Sequence, residues 1–385
     1  MTTMTILFVA SLWEVPTVAT AKPPDSTEEQ RFSFFIDGDD SFGDGSSLSK
    51  KQIVKSFIFS REFEMNLPRW RTTLPPGSPE DVNSNGIMDV LDLIALRFES
   101  GVPLPSLGGC DLFPADNWWN TPVDTTAVHP LSDNYILSIG PDTELHPDFG
   151  TEWAGFDIGI PYNIVPVDQE TFTVDFLYWD ESDPGPYPIP PNPNIEGGGD
   201  HHILIVQQEA CVLYELFDAY QDHLGDWHAG SGAVWHLDQN EMRPEGWTSA
   251  DAAGLPILPG LVRYEEVHDT GEINHALRMT LSQIQRGYIR PASHTDGTGG
   301  MDPNLPPMGL RLRLKAEFDI SGYVEPLQVI LRALKKYGVF IADTGSDCFL
   351  SGTHHDDWDD SMLHDLHGVK ASDFEAVYTG EIIPY

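Results

Sequence analysis

Basic residues are scarce in this chain. Its 385 residues include 21 Lys and Arg against 60 Asp and Glu, a formal net charge of −39 with histidine neutral. A polyanion is repelled by such a chain, which excludes nucleic acid and anionic membrane surfaces as partners. Long apolar runs are also missing: no stretch of about twenty apolar residues occurs, so nothing is expected to span a membrane. Cysteine is sparse. Cys110, Cys211 and Cys348 are too few for a disulfide framework and too scattered for a zinc site. In an exported protein Cys110 and Cys211 could pair and leave Cys348 free, but the sequence does not decide which pair forms. Catalytic signatures are thin as well. There is no H-E-x-x-H, and Ser249 does not sit in a G-x-S-x-G elbow, which argues against a serine nucleophile there.

What is present divides the chain. The opening MTTMTILFVASLWEVPTVATAKPP has an apolar segment from Thr5 to Trp13 and a cleavage-like Ala19-Thr20-Ala21. It lacks a basic n-region, yet it reads as a signal peptide over residues 1–21 and implies a secreted protein. Residues 22–35 are polar and loose, 36–100 form a small helical module, 101–109 have linker composition, and 110–385 are β-rich.

Within the module, DVNSNGIMDVLD (81–92) spaces its oxygen donors regularly. Asp81, Asn83 and Asn85 alternate, Gly86 supplies a sharp turn, the carbonyl of Ile87 falls seventh, and Asp89 and Asp92 fall ninth and twelfth. That is the ligand order of an EF-hand loop for Ca2+, a cation that takes many hard oxygen ligands. A solvated Asx-rich turn is the plainer reading. The amphipathic run carrying Val90, Leu91, Leu93, Ile94 and Leu96 favours the metal loop. With Asp at the twelfth place and Leu93 after it, the segment resembles the loop–helix repeat of dockerin modules. Upstream, Asp37, Asp39, Asp40 and Asp44 precede an expected helix from Leu48 to Phe59 and look like a degenerate partner repeat, with Lys51 where a closing carboxylate would stand. The resemblance implies calcium-dependent folding and a cohesin-like protein as partner.

From Cys110 onward short β-rich runs alternate with Gly- and Pro-rich loops. Strands are expected in FTVDFLYW (172–179), HHILIVQQ (201–208), CVLYELF (211–217), SGAVWHL (231–237), HALRMTL (275–281), LRLRLKA (310–316) and VFIAD (339–343). One helix is clear from Glu325 to Tyr337, with Leu327, Ile330, Leu331 and Leu334 on one face and Gly338 beyond its end. The pattern predicts a mainly β domain, a β-sandwich or jelly roll with one or two helices, of mostly antiparallel strands. The stretches ADNWWNTPVD (115–124), HPDFG (146–150), GIPY (159–162), DESDPGPYPIPPN (180–192), GWTSADAAGLPILPGLVRY (246–264), HALRMT (275–280) and ILRALKKYGVFIAD (330–343) also resemble a widespread group of secreted bacterial proteins. That resemblance implies one coherent exported domain and transfers no catalytic residues.

Candidate chemistry sits at four places. If Val206 opposes Cys211 across a four-residue loop, His202 opposes Glu215 at the end of an apolar stripe, where a carboxylate can orient an imidazole and raise its pKa. A slip of one residue dissolves the pair, and a rim salt bridge is the plainer outcome. In the loop 240–267, Asp251 serves either as a helix cap or as a catalytic carboxylate, with Arg243 or Arg263 and Trp247 toward substrate. His275 and His294 form a possible metal or proton-transfer pair, though each alone more often plays a structural part. Finally, Trp118, Trp119, Trp153, Trp179, Trp227, Trp235 and Trp247 exceed what a core needs, and exposed indoles beside carboxylates suit a saccharide cleft. These features lead to a secreted, calcium-binding protein acting on polysaccharide or cell-surface glycan as a glycoside hydrolase or polysaccharide lyase. The alternative is a non-catalytic extracellular protein that binds glycan or a protein neighbour, or has a structural role.

Overall fold

The computed structural model describes residues 103–297 and 299–385 and, farther upstream, the backbone of two short strand pairs, Arg31–Phe35 with Val54–Ile58 and Thr72–Thr73 with Ile87–Met88. The expected calcium ligands Asp81, Asn83, Asn85, Asp89 and Asp92 lie outside the described residues, as does the expected signal segment. Ile87 falls in the last of these strands, and Val54–Ile58 is a strand inside the stretch expected to be helical. The chain divides into two compact units, Met1–Gly101 and Val102–Tyr385.

The second unit is mostly β, with several sheets and few helices. In chain order its principal elements are α1 (Ser132–Ile139), β1 (His146–Asp148), β2 (Tyr162–Val165), β3 (Val174–Phe176), β4 (Ile203–Gln207), β5 (Val212–Phe217), β6 (Tyr220–Gln221), β7 (Trp227–Ala229), β8 (Ser231–His236), β9 (Leu277–Leu281), β10 (Arg311–Leu314), α2 (Glu325–Lys336), β11 (Val339–Thr344), β12 (Phe349–Ser351) and β13 (Phe374–Val377). Each strand expected from the sequence overlaps an observed one. Three sheets of three or more strands result among the described residues: β2-β4-β5-β8, β3-β7-β6, and the six-stranded β13-β10-β11-β9-β12-β1.

The sheets are mixed. β2–β4, β3–β7, β9–β11 and β12–β1 pair in parallel, whereas a jelly roll is built of antiparallel pairs. The chain returns from β9 to β11 through β10 and α2, and a long crossover of this kind is what parallel pairing requires. α2 forms where the apolar spacing places it. Pro326 stands in its first turn, where the missing N–H is no loss, and Lys335 and Lys336 face the negative end of the helix dipole. Its face of Leu327, Ile330, Leu331 and Leu334 is buried. Gly338 then turns the chain with φ +70°, at a position where a Cβ would meet the carbonyl oxygen of Leu312 at 2.3 Å.

β4 shows how the layers stack. All five of its residues are buried, because alternate side chains enter different cores. Leu204 and Val206 join the large core shared with the six-stranded sheet. Ile203 and Ile205 join a second core with Val165, Val174, Tyr187 and Trp227 on the side of the three-stranded sheet. A continuous apolar run is the signature of a strand covered on both faces. The segment before the sheets is tied in as well. Ser106–Leu107 pairs with Cys110–Asp111, Pro105 accepts from the amide of Leu112 at 2.7 Å, and Cys110 is disulfide-bonded to Cys211 in the β4–β5 turn. Cys348 is free and buried.

Candidate active site

The site begins with the β4–β5 hairpin. Its four-residue loop is 208–211, one position later than expected, so Val206 faces Leu213, Leu204 faces Glu215, and the register moves by two. A shift of two keeps every side chain on its face. His202 and Glu215 therefore both look toward the six-stranded sheet, but they do not pair. The ring of His202 packs near Phe217, 5.6 Å between centroids, and its carboxylate partner is Glu196.

Glu215 is fully buried. Its Oε1 accepts from the amides of Ile257 and Leu258 at 2.9 Å each, and its Oε2 accepts from the indole N–H of Trp235 at 3.1 Å. Burial pushes its pKa up to about 7, with the charge of Asp251 adding to the rise, while these donors pull the other way. Such a carboxylate joins the 257–258 segment to the sheet and is closed to substrate, so its expected catalytic role is not what its surroundings provide.

Asp251 is likewise internal, being 1% exposed. Arg278, on β9, donates to it through Nε at 2.9 Å and Nη2 at 2.7 Å. The same guanidinium reaches Ser351 Oγ at 2.6 Å through Nη1 and Asp343 Oδ2 at 3.5 Å through Nη2. Asp343, at the end of β11, has its acidity weakened by burial and by Asp251, so its carboxyl titrates well above the usual range. Asp251 therefore anchors Arg278 and neither caps a helical turn nor faces substrate.

Arg278 in turn leads to the open face. Asp148 ends β1 as an exposed residue, yet its carboxyl stands in crowded surroundings. Burial of that carboxyl, and the charges of Glu196 and Asp200, raise its pKa, with Arg278 opposing. Glu196 and Asp200 belong to the loop ahead of β4, and their ligand oxygens and a ring nitrogen of His202 all lie within 4.8 Å of one another. Glu196 Oε2 meets His202 Nδ1 at 2.5 Å, and His202 Nε2 donates to the carbonyl of Ala250 at 3.1 Å. Burial would raise the pKa of Glu196, but the facing imidazolium and its hydrogen bonds outweigh it and hold the carboxyl below its usual range. His202 is the converse: burial lowers it, and Glu196 outweighs that to lift it to about 9. Two carboxyls in one cluster thus have acidities moved in opposite directions.

An aromatic rim adjoins this cluster. β1 runs into the hairpin Glu152–Trp153 with Phe156–Asp157, where Trp153 is 75% and Phe156 60% exposed. A Cβ added to Gly197, next to Glu196, would meet the carbonyl oxygen of Asp157 at 2.7 Å and Phe156 Cβ at 3.2 Å. The acidic loop and the aromatic hairpin are therefore in direct contact. Trp179 is equally exposed, while Trp119, Trp227 and Trp235 are core residues.

The other expected residues are placed elsewhere. His275 is fully buried, with Nδ1 on the carbonyl of Ala276 at 2.8 Å and Nε2 on Glu266 at 3.0 Å. Arg263, also buried, donates to the same Glu266 at 2.5 Å. His294 is held separately by the carbonyl of Ala252 at 2.7 Å and by the edge of Tyr385, so His275 and His294 have different partners and form no pair. Arg243 is buried between Asp183 and the carbonyls of Glu181 and Thr248, with Trp247 under its guanidinium at 5.3 Å. It fastens residues 181–183, which lead into the proline-rich loop, and presents no free donor edge. Sequence reasoning passed over Asp148, Glu196, Arg278 and Asp343 as site residues. Three of them stand in resembling stretches, HPDFG, HALRMT and GVFIAD, which is the signal that points to them. Glu196 sits in the glycine-rich loop NIEGGGD, where nothing local marks it.

The chain matches no model of a known family, no curated protein and no solved structure.

Proposed function

We propose that the second unit is a glycan-cleaving enzyme, a glycoside hydrolase, with Asp148 as proton donor and Glu196 on the side of the attacking water. The observation that carries this reading is the opposed acidity of the two carboxyls, one raised by burial and by its acidic neighbours and the other lowered by His202. Hydrolysis of a glycosidic bond needs that division: an acid to protonate the leaving oxygen and a carboxylate to polarise or deprotonate water. The exposed Trp153 and Phe156 beside the Glu196 loop supply the apolar faces on which a sugar ring stacks.

In this reading the glycosidic oxygen takes the proton of Asp148 as its bond to the anomeric carbon breaks. Water adds to that carbon, and its proton passes to Glu196. Arg278, fixed by Asp251 and Ser351, sets the local field in which the carboxyls divide their roles. The mainly β unit would work in an exported protein, a setting that the Cys110–Cys211 bond supports. Its dockerin-like segment would bind Ca2+ and dock a cohesin-like partner.

A panel of neutral and acidic glycans with product analysis tests the reading, using the wild type, Asp148→Asn and Glu196→Gln. Loss of products in both variants supports it. Retention of glycan by the wild type with no product from any member favours the non-catalytic binding protein instead, a reading favoured by the burial of Glu215 and Asp251.

A further inference from the structure

We propose that Glu196, Asp200 and His202 form a binding site for a first-row divalent cation of the zinc or manganese class. One ligand atom from each lies within 4.8 Å of the others. The function assigned to the ion, holding the attacking water, rests on the hydrolase reading; the binding itself does not.

The histidine carries the argument furthest. His202 is 3% exposed, and its Nε2 is committed to the carbonyl of Ala250 at 3.1 Å. That bond leaves Nδ1 as the nitrogen that faces the carboxylates, where its N–H now donates to Glu196 at 2.5 Å, and an entering ion would take the place of that proton. A backbone carbonyl on the far nitrogen is the usual way in which a metal-ligating imidazole is oriented. The three residues are therefore more than an acidic patch: a buried, aligned nitrogen donor faces two carboxylates.

Charge gives the second reason. Glu196 and Asp200 are joined by Asp148, whose carboxyl feels both. Of the nearby cations, Arg278 is already engaged by Asp251, Ser351 and Asp343, and the His202 imidazolium would give up its Nδ1 proton as the ion enters. A divalent ion would offset the remaining anions.

The backbone allows closure. Gly197, Gly198 and Gly199 separate two of the ligands, and a Cβ at Gly198 or Gly199 would meet nothing within 4 Å. The loop has room to draw Glu196 and Asp200 around an ion while β4 stays in place. One imidazole with carboxylates suits zinc or manganese, whereas calcium takes oxygen donors.

The test uses the full chain, saturated with Ca2+ to occupy oxygen-only sites, stripped of transition metals, then titrated with Zn2+ and with Mn2+. Bound metal is counted by calorimetry and by elemental analysis after desalting. The exposed Asp200→Asn and the loop variant Glu196→Gln are compared with the wild type, their folding verified by near-UV circular dichroism. His364→Gln is the control for the separate imidazole cluster in which His146 and His367 approach to 3.0 Å. We expect the wild type and His364→Gln to share one tight equivalent that Asp200→Asn and Glu196→Gln bind about tenfold or more weakly. Equal binding by all four proteins, or no tight equivalent in the wild type, overturns the proposal. No glycan is present, so failure here leaves the hydrolase reading standing, and a silent glycan panel leaves the ion standing.

Discussion

Arg278 grips both oxygens of Asp251, at 2.9 and 2.7 Å, where neither residue exceeds 3% exposure. This pair joins β9 to the 246–264 loop, and the charge of Arg278 is felt by Asp148. Removing one partner of a buried pair strands the other charge, which typically destabilises by about 3–5 kcal/mol. Arg278→Met should therefore lower the urea midpoint by an amount corresponding to that range, and Asp251→Asn should do so less severely because the amide oxygen still accepts. A midpoint for Arg278→Met within error of the wild type would remove the pair from the account.

Glu215 gives a pH signature of opposite sense to most carboxylates. Its pKa is lifted from an ordinary 4.5 to about 7, so between those values the native state binds a proton that the unfolded state has released. Stability from this group therefore falls as pH rises through that window and levels off above it. Glu215→Gln places an amide N–H₂ opposite donors and should destabilise by about 1–3 kcal/mol. The gap between wild type and variant should be widest near the lower end of the window and narrow toward neutral pH. A gap that widens with pH contradicts the assignment.

For His202 the sign is the familiar one. Its folded pKa, about 9, stands above the ordinary 6.5, so its contribution is complete below the lower value and is lost as pH rises through the upper one. Nitrogen-detected NMR on chelator-treated protein should find the ring still charged at neutral pH. In Glu196→Gln burial and the charge of Arg278 oppose only Asp200, and the ring should titrate below its ordinary value. An unshifted titration in the variant would show that Glu196 is not the controlling partner.

Much of the fold was legible because its causes are local. The apolar spacing of 325–336 specifies α2, and the β-branched runs mark β4 and β11. The hairpin register was off by two because the loop lies at 208–211, a position held by the bond from Cys211 to Cys110, and nothing in the hairpin itself encodes that restraint. Parallel pairing of β9 with β11 was equally hidden, since it depends on a crossover through α2. The site was less legible still. Glu215 and Asp251 stand out in sequence as acids in apolar surroundings, and burial is what removes them from catalysis. Glu196 lies in an irregular glycine loop and acquires its partner, His202, only when that loop folds back so that the Glu196 amide donates to the His202 carbonyl at 3.0 Å.

The three cysteines behave in two ways. Cys110 and Cys211 close a span of 101 residues, and replacing both by serine should lower stability by about 2–5 kcal/mol. Cys348 is buried, which pushes its thiol up to about 12, so iodoacetamide should leave it unmodified until the protein unfolds. Modification of native protein at a rate typical of a free thiol contradicts that placement.

The most direct test of the acid–base assignment is turnover of the glycan that the wild type cleaves, measured for Asp148→Asn and Glu196→Gln with folding confirmed. Each change should lower kcat by about 100-fold or more while KM moves little. Wild-type rates in both variants would contradict the account.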